Sequence, residues 1–423
     1  MKALIITYYW PPAGGSGVQR WLKFVKYLRD FGIEPVIYTP ENPSYPILDE
    51  TLSKEIPDNI TILKHKIVEP NQFLNSNKKK QSGGFLDSKP TFTGRITQYI
   101  RANFFIPDAR KYWVKPSVNY LQSYISEQSI DVVISTGPPH SMHLIGLELQ
   151  KKTQVKWIAD FRDPWTDIDY FHQLPLTKKS LQKHQQLELE VVSNADHVLV
   201  VGKSMKESYQ KISSKVSVIT NGFDDMKMSK QIKLDTKFSL VHVGLMNADR
   251  NPINLWNAIK ELITEHKDFD KDVKIKLIGS ISNEVTESLS QFDEGIVEKI
   301  SYISHDKVRE LQIQSQVLLL SINNTPASKG IVTGKIFEYL QAKRPILAVG
   351  PENGDAAEIL KNTKAGVCFD YLKKDEIKNH ILALYKEYKN ESLVINSSTI
   401  KKYHRRELTK QLSEIIKETI VSS

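Results

Sequence analysis

Thr333-Gly-Lys-Ile-Phe-Glu-Tyr-Leu-Gln-Ala-Lys-Arg-Pro-Ile-Leu-Ala-Val-Gly350 holds the residues best suited to gripping an anion. Its pattern predicts a short helix running at once into a buried strand. Thr333 is placed to cap that helix, Gly334 lets the backbone come close to a ligand, and the first-turn N–H groups face any anion set there. Lys335 and Glu338 are three apart and share a helical face. A cation then stands beside phosphates, and a carboxylate stands where it can accept bonds from two ribose hydroxyls. An amphipathic helix with an ordinary cap and a surface Lys–Glu pair fits the same letters, and this stretch alone does not choose between the two readings.

Other candidates fall in loops that leave apolar runs. Pro11-Pro-Ala-Gly-Gly-Ser-Gly17 follows the first such run, and Gly14 and Gly15 permit a tight turn close to a phosphate or sugar. The G-x-G-x-x-G spacing is missing and no acidic residue directly ends the second strand, which counts against an oxidoreductase. In Gly137-Pro-Pro-His-Ser-Met-His143 the prolines stiffen the loop and His140 sits just ahead of a helix. His140 can bond a sugar hydroxyl or polarise a reacting group, or it caps and packs; for His143 packing is favoured. Asp160-Phe-Arg-Asp-Pro-Trp165 offers Asp160 or Asp163 as a proton acceptor, although a clamp in which Arg162 bridges both acids is favoured. Gly244-Leu-Met-Asn-Ala-Asp-Arg250 leaves a strand towards a helix, and Arg250 either meets a diphosphate bidentately or stays solvated. With Lys335 it gives two cations for one nucleotide without a metal, and the loop Asn323–Val332 shapes the same pocket.

These loops need elements to hold them. At 423 residues the chain suits two domains, and its 40% hydrophobic and 25% charged content is that of a globular protein. Both halves repeat an apolar run followed by an amphipathic helix, so an α/β fold with parallel, doubly wound sheets is predicted. Strands are expected at Ala3–Thr7, Pro35–Thr39, Ile60–Lys64, Val132–Thr136, Lys156–Asp160, His197–Val201 and Val216–Thr220. In the second half they fall at Phe238–Gly244, Val273–Gly279, Val297–Ser301, Val317–Ser321, Pro345–Val349 and Val367–Asp370. Helices are expected at Val18–Phe31, Ser141–Lys152, Ile253–Glu265, His305–Gln314 and Asp375–Tyr388, with a charged amphipathic helix over Ser398–Ile420. Asp224–Lys237 reads as the linker. Residues 67–115 break the pattern as an insertion rich in Lys, Arg and aromatic residues, which suits either packing on the domain or a membrane interface.

The single cysteine, Cys368, rules out an internal disulfide framework and agrees with a reducing compartment. The opening apolar run is too short for a signal peptide, and no window approaches 18 apolar residues, so a cytoplasmic location is expected. A net charge of +9 points to anionic substrates, an acidic membrane surface or nucleic acid. No nucleic-acid module accompanies it, so nucleic acid is not expected as a partner.

Taken in order, Pro11–Gly17, Ser135–His140, Asp160–Trp165, Asn221-Gly-Phe-Asp224, Gly244–Arg250 and Lys335-Ile-Phe-Glu338-Tyr-Leu with Arg344-Pro-Ile-Leu resemble the glycosyltransferase family 4 group of GT-B enzymes over nearly the whole chain. The resemblance implies two Rossmann-like domains facing a cleft: 1–222, joined by a returning helix over 398–423, for an acceptor, and 223–397 for a nucleotide-diphosphate sugar. It implies transfer with retention, no metal and no cofactor beyond the donor substrate. Glu338 matches the ribose-binding glutamate, Arg250 the residue that neutralises the leaving diphosphate, Gly14 and Gly15 the loop closing over it, and His140 loosely the histidine on the donor sugar. Gly244, Thr333 and Gly334 complete the expected donor seat, and Arg250, Lys335 and His140 are the expected catalytic set. Two positions depart: Gly330 replaces one of the family's paired glutamates, and Leu245 replaces its arginine after the strand glycine. The commonest role the resemblance suggests is surface-polysaccharide or glycolipid assembly, with a sugar or lipid-linked acceptor and peripheral contact with an anionic inner membrane face. A sugar-nucleotide 2-epimerase and a non-catalytic nucleotide- or polyanion-binding protein remain as competing readings.

Overall fold

The structure is a computed structural model that describes residues 1–69, 92–168, 171–225, 232–301, 303–393, 395 and 399–422. Lys78-Lys-Lys80 and Ser82-Gly-Gly84 of the expected insertion lie outside the described residues, as does 226–231 of the expected linker. Two compact units are present. One holds the described residues up to Asn221 together with those from Arg405 onward, and the other holds Gly222–His404.

The first unit is built on β1 (Lys2–Ile6), β2 (Glu34–Pro40), β3 (Thr61–His65), β4 (Val132–Gly137), β5 (Lys156–Phe161), β6 (His197–Val200) and β7 (Val216–Val218). They form one parallel sheet in the order β3-β2-β1-β4-β5-β6-β7. The second unit has β8 (Phe238–Val243), β9 (Val273–Ile278), β10 (Val297–Ile300), β11 (Val317–Ser321), β12 (Ile346–Val349) and β13 (Gly366–Phe369), also parallel, in the order β10-β9-β8-β11-β12-β13. Every residue of β4, β8 and β11 is buried, as a sheet covered by helices on both faces requires. All thirteen expected strands are found within a residue or two of their predicted ends.

Each sheet reverses its winding once, between β1 and β4 and between β8 and β11. At such a switch point the two strand-end loops diverge and leave a crevice. The loops Pro11–Gly17 and Gly137–His140 therefore leave neighbouring strands in the first unit, and Gly244–Arg250 and the loop from Ile322 do so in the second.

The first core draws on residues from Ala3 to Ile219 and takes in Leu408, Leu412 and Ile416. Those three lie four apart on the helix Arg405–Val421, which packs on Ser16–Leu28. Arg406 donates to Asp30 Oδ2 at 3.1 Å, and Lys156 Nζ to the Ser422 carbonyl at 2.6 Å. The closing helix thus belongs to the first unit, but it starts later than the expected Ser398. The preceding turn Ile400–Tyr403 stays with the second unit because Ile400 and Tyr403 are buried against the helix Lys335–Ala342.

Beneath the first switch point Asp160 is fully buried and ionised. Arg20 reaches it through Nη2 at 2.8 Å and Nε at 3.2 Å, Trp21 Nε1 at 2.7 Å and Thr136 Oγ1 at 2.8 Å. Burial pushes this carboxyl up, but the Arg20 charge and the three donors hold it below its usual range. The expected clamp by Arg162 is not found, and Arg20 holds Asp160 in its place. Arg162, expected to bridge Asp160 and Asp163, bonds the Gly17 carbonyl at 2.7 Å and the Gly137 and Pro138 carbonyls instead. Asp160→Asn leaves a guanidinium buried without its counter-charge and should cost about 3–5 kcal/mol in chemical denaturation. Because the folded pKa is depressed, that stability is full above the unfolded value of about 3.9 and is lost as pH falls through the folded one. An unchanged denaturation midpoint for Asp160→Asn at neutral pH would contradict this assignment.

Candidate functional site

Gly244 ends β8 with φ 102°, a conformation only glycine adopts without strain. A Cβ there would stand 2.7 Å from both Cε and Nζ of Lys335. The lysine side chain thus lies across the bare backbone at the end of the strand, and residue 244 must lack a side chain for it to do so.

Arg250 arrives from the turn Ala248–Arg250. Its Nε donates to Asn323 Oδ1, its Nη1 to the Leu245 carbonyl at 3.2 Å, and its own carbonyl accepts from Ser321 Oγ at 2.7 Å. Asn324 N bonds the Asp249 carbonyl at 2.8 Å, so the loops after β8 and β11 are tied together across the switch point. Leu245, where the family has an arginine, contributes its carbonyl to hold Arg250 in place.

Lys335 is half-buried, and burial first and the Arg250 charge second bring its pKa down to about 7; Glu338 opposes this only in part. His242, fully buried in β8, is kept neutral by burial and by the same two cations, with Nδ1 bonded to the Leu319 carbonyl at 3.1 Å. Two positive groups therefore stand in each other's field, and an anion bound between them would relieve the repulsion.

The helix Lys335–Ala342 starts differently from the expected cap. Thr333 Oγ1 is buried and bonds nothing, so it does not cap. Gly334 occupies the cap position in ordinary right-handed geometry, and the amides of Ile336 and Phe337 turn back onto the carbonyls of Thr333 and Gly334 at 3.2 Å. Of the first-turn amides, those of Gly334 and Lys335 are left for an anion. A Cβ on Gly334 would meet nothing within 4 Å. Glu338 is on the same helix, where the buried Gln312 donates to its Oε2 at 3.1 Å and fixes its orientation. Gly330 lies in the turn Ser328–Gly330, with the Lys329 side chain exposed.

The structure thus brings Gly244, Arg250, Thr333, Gly334, Lys335 and Glu338 to one end of the second sheet. Gly14, Gly15 and His140 stand in the first unit. Gly14 has a packing reason, since a Cβ would meet Ile47 Cγ2 at 2.8 Å, whereas Gly15 has φ 87° and open space around it. His140 stacks on Trp165 at 4.5 Å with planes 5° apart, and its Nδ1 is buried without a partner. Burial, and after it His143 and Arg162, hold its pKa well below the usual value, so it is a neutral imidazole that can hydrogen-bond but does not act as an imidazolium acid. His143 packs as expected, stacked on Phe161 at 4.3 Å with Nδ1 bonded to Ser135 Oγ at 2.9 Å and its pKa at about 3. Asn323, Gln312 and His242 were not singled out individually from sequence. Their roles depend on the order of the strands, which no local pattern carries.

An anion seated here should raise the Lys335 pKa. Above about pH 7 nucleoside-diphosphate binding should then take up a proton, and affinity should fall by up to about tenfold per pH unit until the bound-state pKa is reached. Calorimetry in buffers of different ionisation heat reads the uptake directly; Lys335→Met should abolish it, and buffer-independent heats in the unmodified protein would contradict it. Gly334→Ala should leave the melting temperature within a degree or two yet weaken nucleotide binding. Equal affinity in that variant would show that no ligand approaches Gly334.

Comparisons with known proteins bear on the fold and the family. The chain has the fold of Anabaena HepE, solved with UDP-glucose, at a TM-score of 0.61 and 12% identity over 99% of this chain and 100% of that one. S. aureus TarM, solved with fondaparinux, alpha-GlcNAc-glycerol and UDP, gives 0.60 at 11% over the whole of both chains. A putative UDP-N-acetylglucosamine 2-epimerase from Listeria monocytogenes gives 0.58 at 12% over 100% of this chain and 97% of that one. Comparison with curated proteins gives no significant match. Residues 15–227, just over half of the chain, match the sequence profile of Glycosyltransferase Family 4. Two Rossmann-like units, each with a parallel sheet wound in both directions, and that match together establish that the chain belongs to glycosyltransferase family 4 and is a glycosyltransferase of the GT-B fold.

Proposed function

We propose that the protein moves a sugar from a nucleotide-diphosphate sugar to an acceptor hydroxyl with retention of configuration, in the assembly of a surface polysaccharide or glycolipid. The observation that carries this reading is the placement of Lys335 across Gly244, beside Arg250, at the switch point of the second sheet. As the anomeric C–O bond breaks, negative charge gathers on the diphosphate. Arg250, Lys335 and the Gly334 and Lys335 amides are already in place to bind it, so little reorganisation is needed at the moment of reaction. The acceptor oxygen bonds the anomeric carbon on the face from which the diphosphate departs, and its proton passes to the departing diphosphate oxygen. Glu338, oriented by Gln312, holds the ribose hydroxyls. His140, kept neutral, serves as a hydrogen-bonding group for the donor sugar rather than as a proton donor.

The UDP-glucose and UDP with which two neighbours were solved make a uridine nucleotide the first candidate donor. Among the described residues no helix is long and apolar enough to cross a membrane, and a lipid-linked acceptor at the cytoplasmic face is the reading we favour. The likeness to a 2-epimerase supplies the competing activity, which would interconvert donor sugars with no acceptor present.

A thermal-shift panel of UDP, GDP, ADP and TDP with their sugars should single out one base, since stabilisation follows ligand excess over Kd. Arg250→Ala should lower turnover by about 10²-fold or more, the scale of losing one pre-placed oxyanion donor. Unchanged kcat would remove Arg250 from the mechanism, and epimer formation from donor alone would replace transfer with the competing activity.

A further inference from the structure

The hydrogen bonds that direct Arg250 extend to a third loop. Asp370-Tyr-Leu-Lys-Lys374 follows β13, at the edge of the second sheet and two strands away from β11, whose loop carries Asn323. Leu372 in this loop is 83% exposed, whereas Tyr371 beside it is half-buried and donates its hydroxyl to the Asn323 carbonyl at 2.8 Å. Burial holds the phenol up at about 12, so the hydroxyl keeps its proton and serves as the donor.

Three hydrogen bonds then close a ring. Arg250 Nε donates to Asn323 Oδ1, the Tyr371 hydroxyl to the Asn323 carbonyl, and Asn254 Nδ2 to the Tyr371 carbonyl at 2.7 Å. Asn254 stands at the start of the helix Ile253–Glu265, four residues after Arg250, so the chain itself completes the circuit. The loops that leave β8, β11 and β13 are thereby fixed to one another. Gly350, at the end of the intervening β12, makes room for this: a Cβ there would stand 2.8 Å from Ile322 Cδ1, in the residue before Asn323. The loop bearing Tyr371 is anchored in its turn, since Lys373 Nζ lies 3.1 Å from Glu352 Oε1 and 2.9 Å from Glu376 Oε2, and Lys374 pairs with Glu261. A phenylalanine would pack in the same place. What the hydroxyl adds is the bond to Asn323 and, through Asn323, the direction of the guanidinium.

We infer that Tyr371 is a positioning residue for donor turnover: through Asn323 it keeps the Arg250 guanidinium close to Lys335, so that both cations act on one diphosphate. The inference rests on the reading of Arg250 and Lys335 as the partners of that diphosphate. Without the hydroxyl, Asn323 and Arg250 gain freedom, and the arginine moves out of the lysine's field. The Arg250 charge is the second of the two causes that lower Lys335, so the free lysine would then hold its proton to higher pH. Nucleoside-diphosphate affinity, which is full while that lysine is protonated, would begin to fall at a correspondingly higher pH.

The test is calorimetric titration across pH with the nucleoside diphosphate that the thermal-shift panel selects, in the unmodified protein, Tyr371→Phe, Arg250→Met and the protein carrying both substitutions. Tyr371→Phe should move the onset of the fall to higher pH. It should also lower kcat by about two- to tenfold, the scale of one hydrogen bond, with little change in donor KM. Once Arg250 is Met, the same substitution should add nothing, because the two act through one another. Tyr388→Phe is the control: Tyr388 donates to the Thr236 carbonyl at 2.6 Å in the same unit, and its loss should leave the pH profile in place. Melting temperatures report whether each variant folds. A Tyr371→Phe profile that matches the unmodified protein, or an effect of equal size with and without Arg250, would overturn the inference and leave the donor reading standing. An Arg250→Met profile identical to that of the unmodified protein would overturn both.

Discussion

Everything proposed for the second unit depends on keeping two like charges close together before any ligand arrives. In water, Lys335 and Arg250 would move apart and collect counter-ions. Here the fold removes that option: Gly244 leaves no side chain to push the lysine away, and the arginine is fixed by Asn323 and the Leu245 carbonyl. Burial first and this repulsion second emerge as a lysine whose pKa has come down to about 7. A diphosphate reverses each unfavourable contribution at once, and a departing diphosphate, with its greater charge, does so more fully. That difference between ground state and transition state is what a transferase needs.

The polar groups at the first switch point follow another logic. Asp160 is saturated by Arg20, Trp21 and Thr136, and Arg162 is occupied by main-chain carbonyls. Glu69 is similarly engaged with Arg110 at 3.0 Å and with the Tyr8 hydroxyl at 2.8 Å, which fixes the chain where the insertion begins. Such groups hold loops in position and leave little reactivity. His140 and His143 each keep one ring nitrogen unpartnered, and His140, stacked on Trp165 and only half-buried, stays a candidate for contact with a sugar. Polarity in a strand-end loop is thus a poor guide to chemistry until its partners are known.

The central strands were legible because they are buried on both faces and read as apolar runs, such as Val317–Ser321, while edge strands such as Thr61–His65 are only partly buried. The proposed donor seat was legible in part. Gly334, Lys335 and Glu338 lie on one helix, where spacing alone fixes their shared face, but Thr333 was misread as a cap because a Thr before a helix usually caps. The backbone closes that turn through its own carbonyls instead. Arg20 as the partner of Asp160 could not be read, since 140 residues separate them and only the placement of β1 beside β4 and β5 brings them together.

The most direct test compares nucleoside diphosphate with nucleoside monophosphate affinity, using the base the protein prefers, in the unmodified protein and in Lys335→Met and Arg250→Met. Two pre-placed cations predict a marked preference for the diphosphate that shrinks in each variant while monophosphate affinity changes little. A preference that survives both substitutions would show that the diphosphate is held elsewhere and would contradict the account.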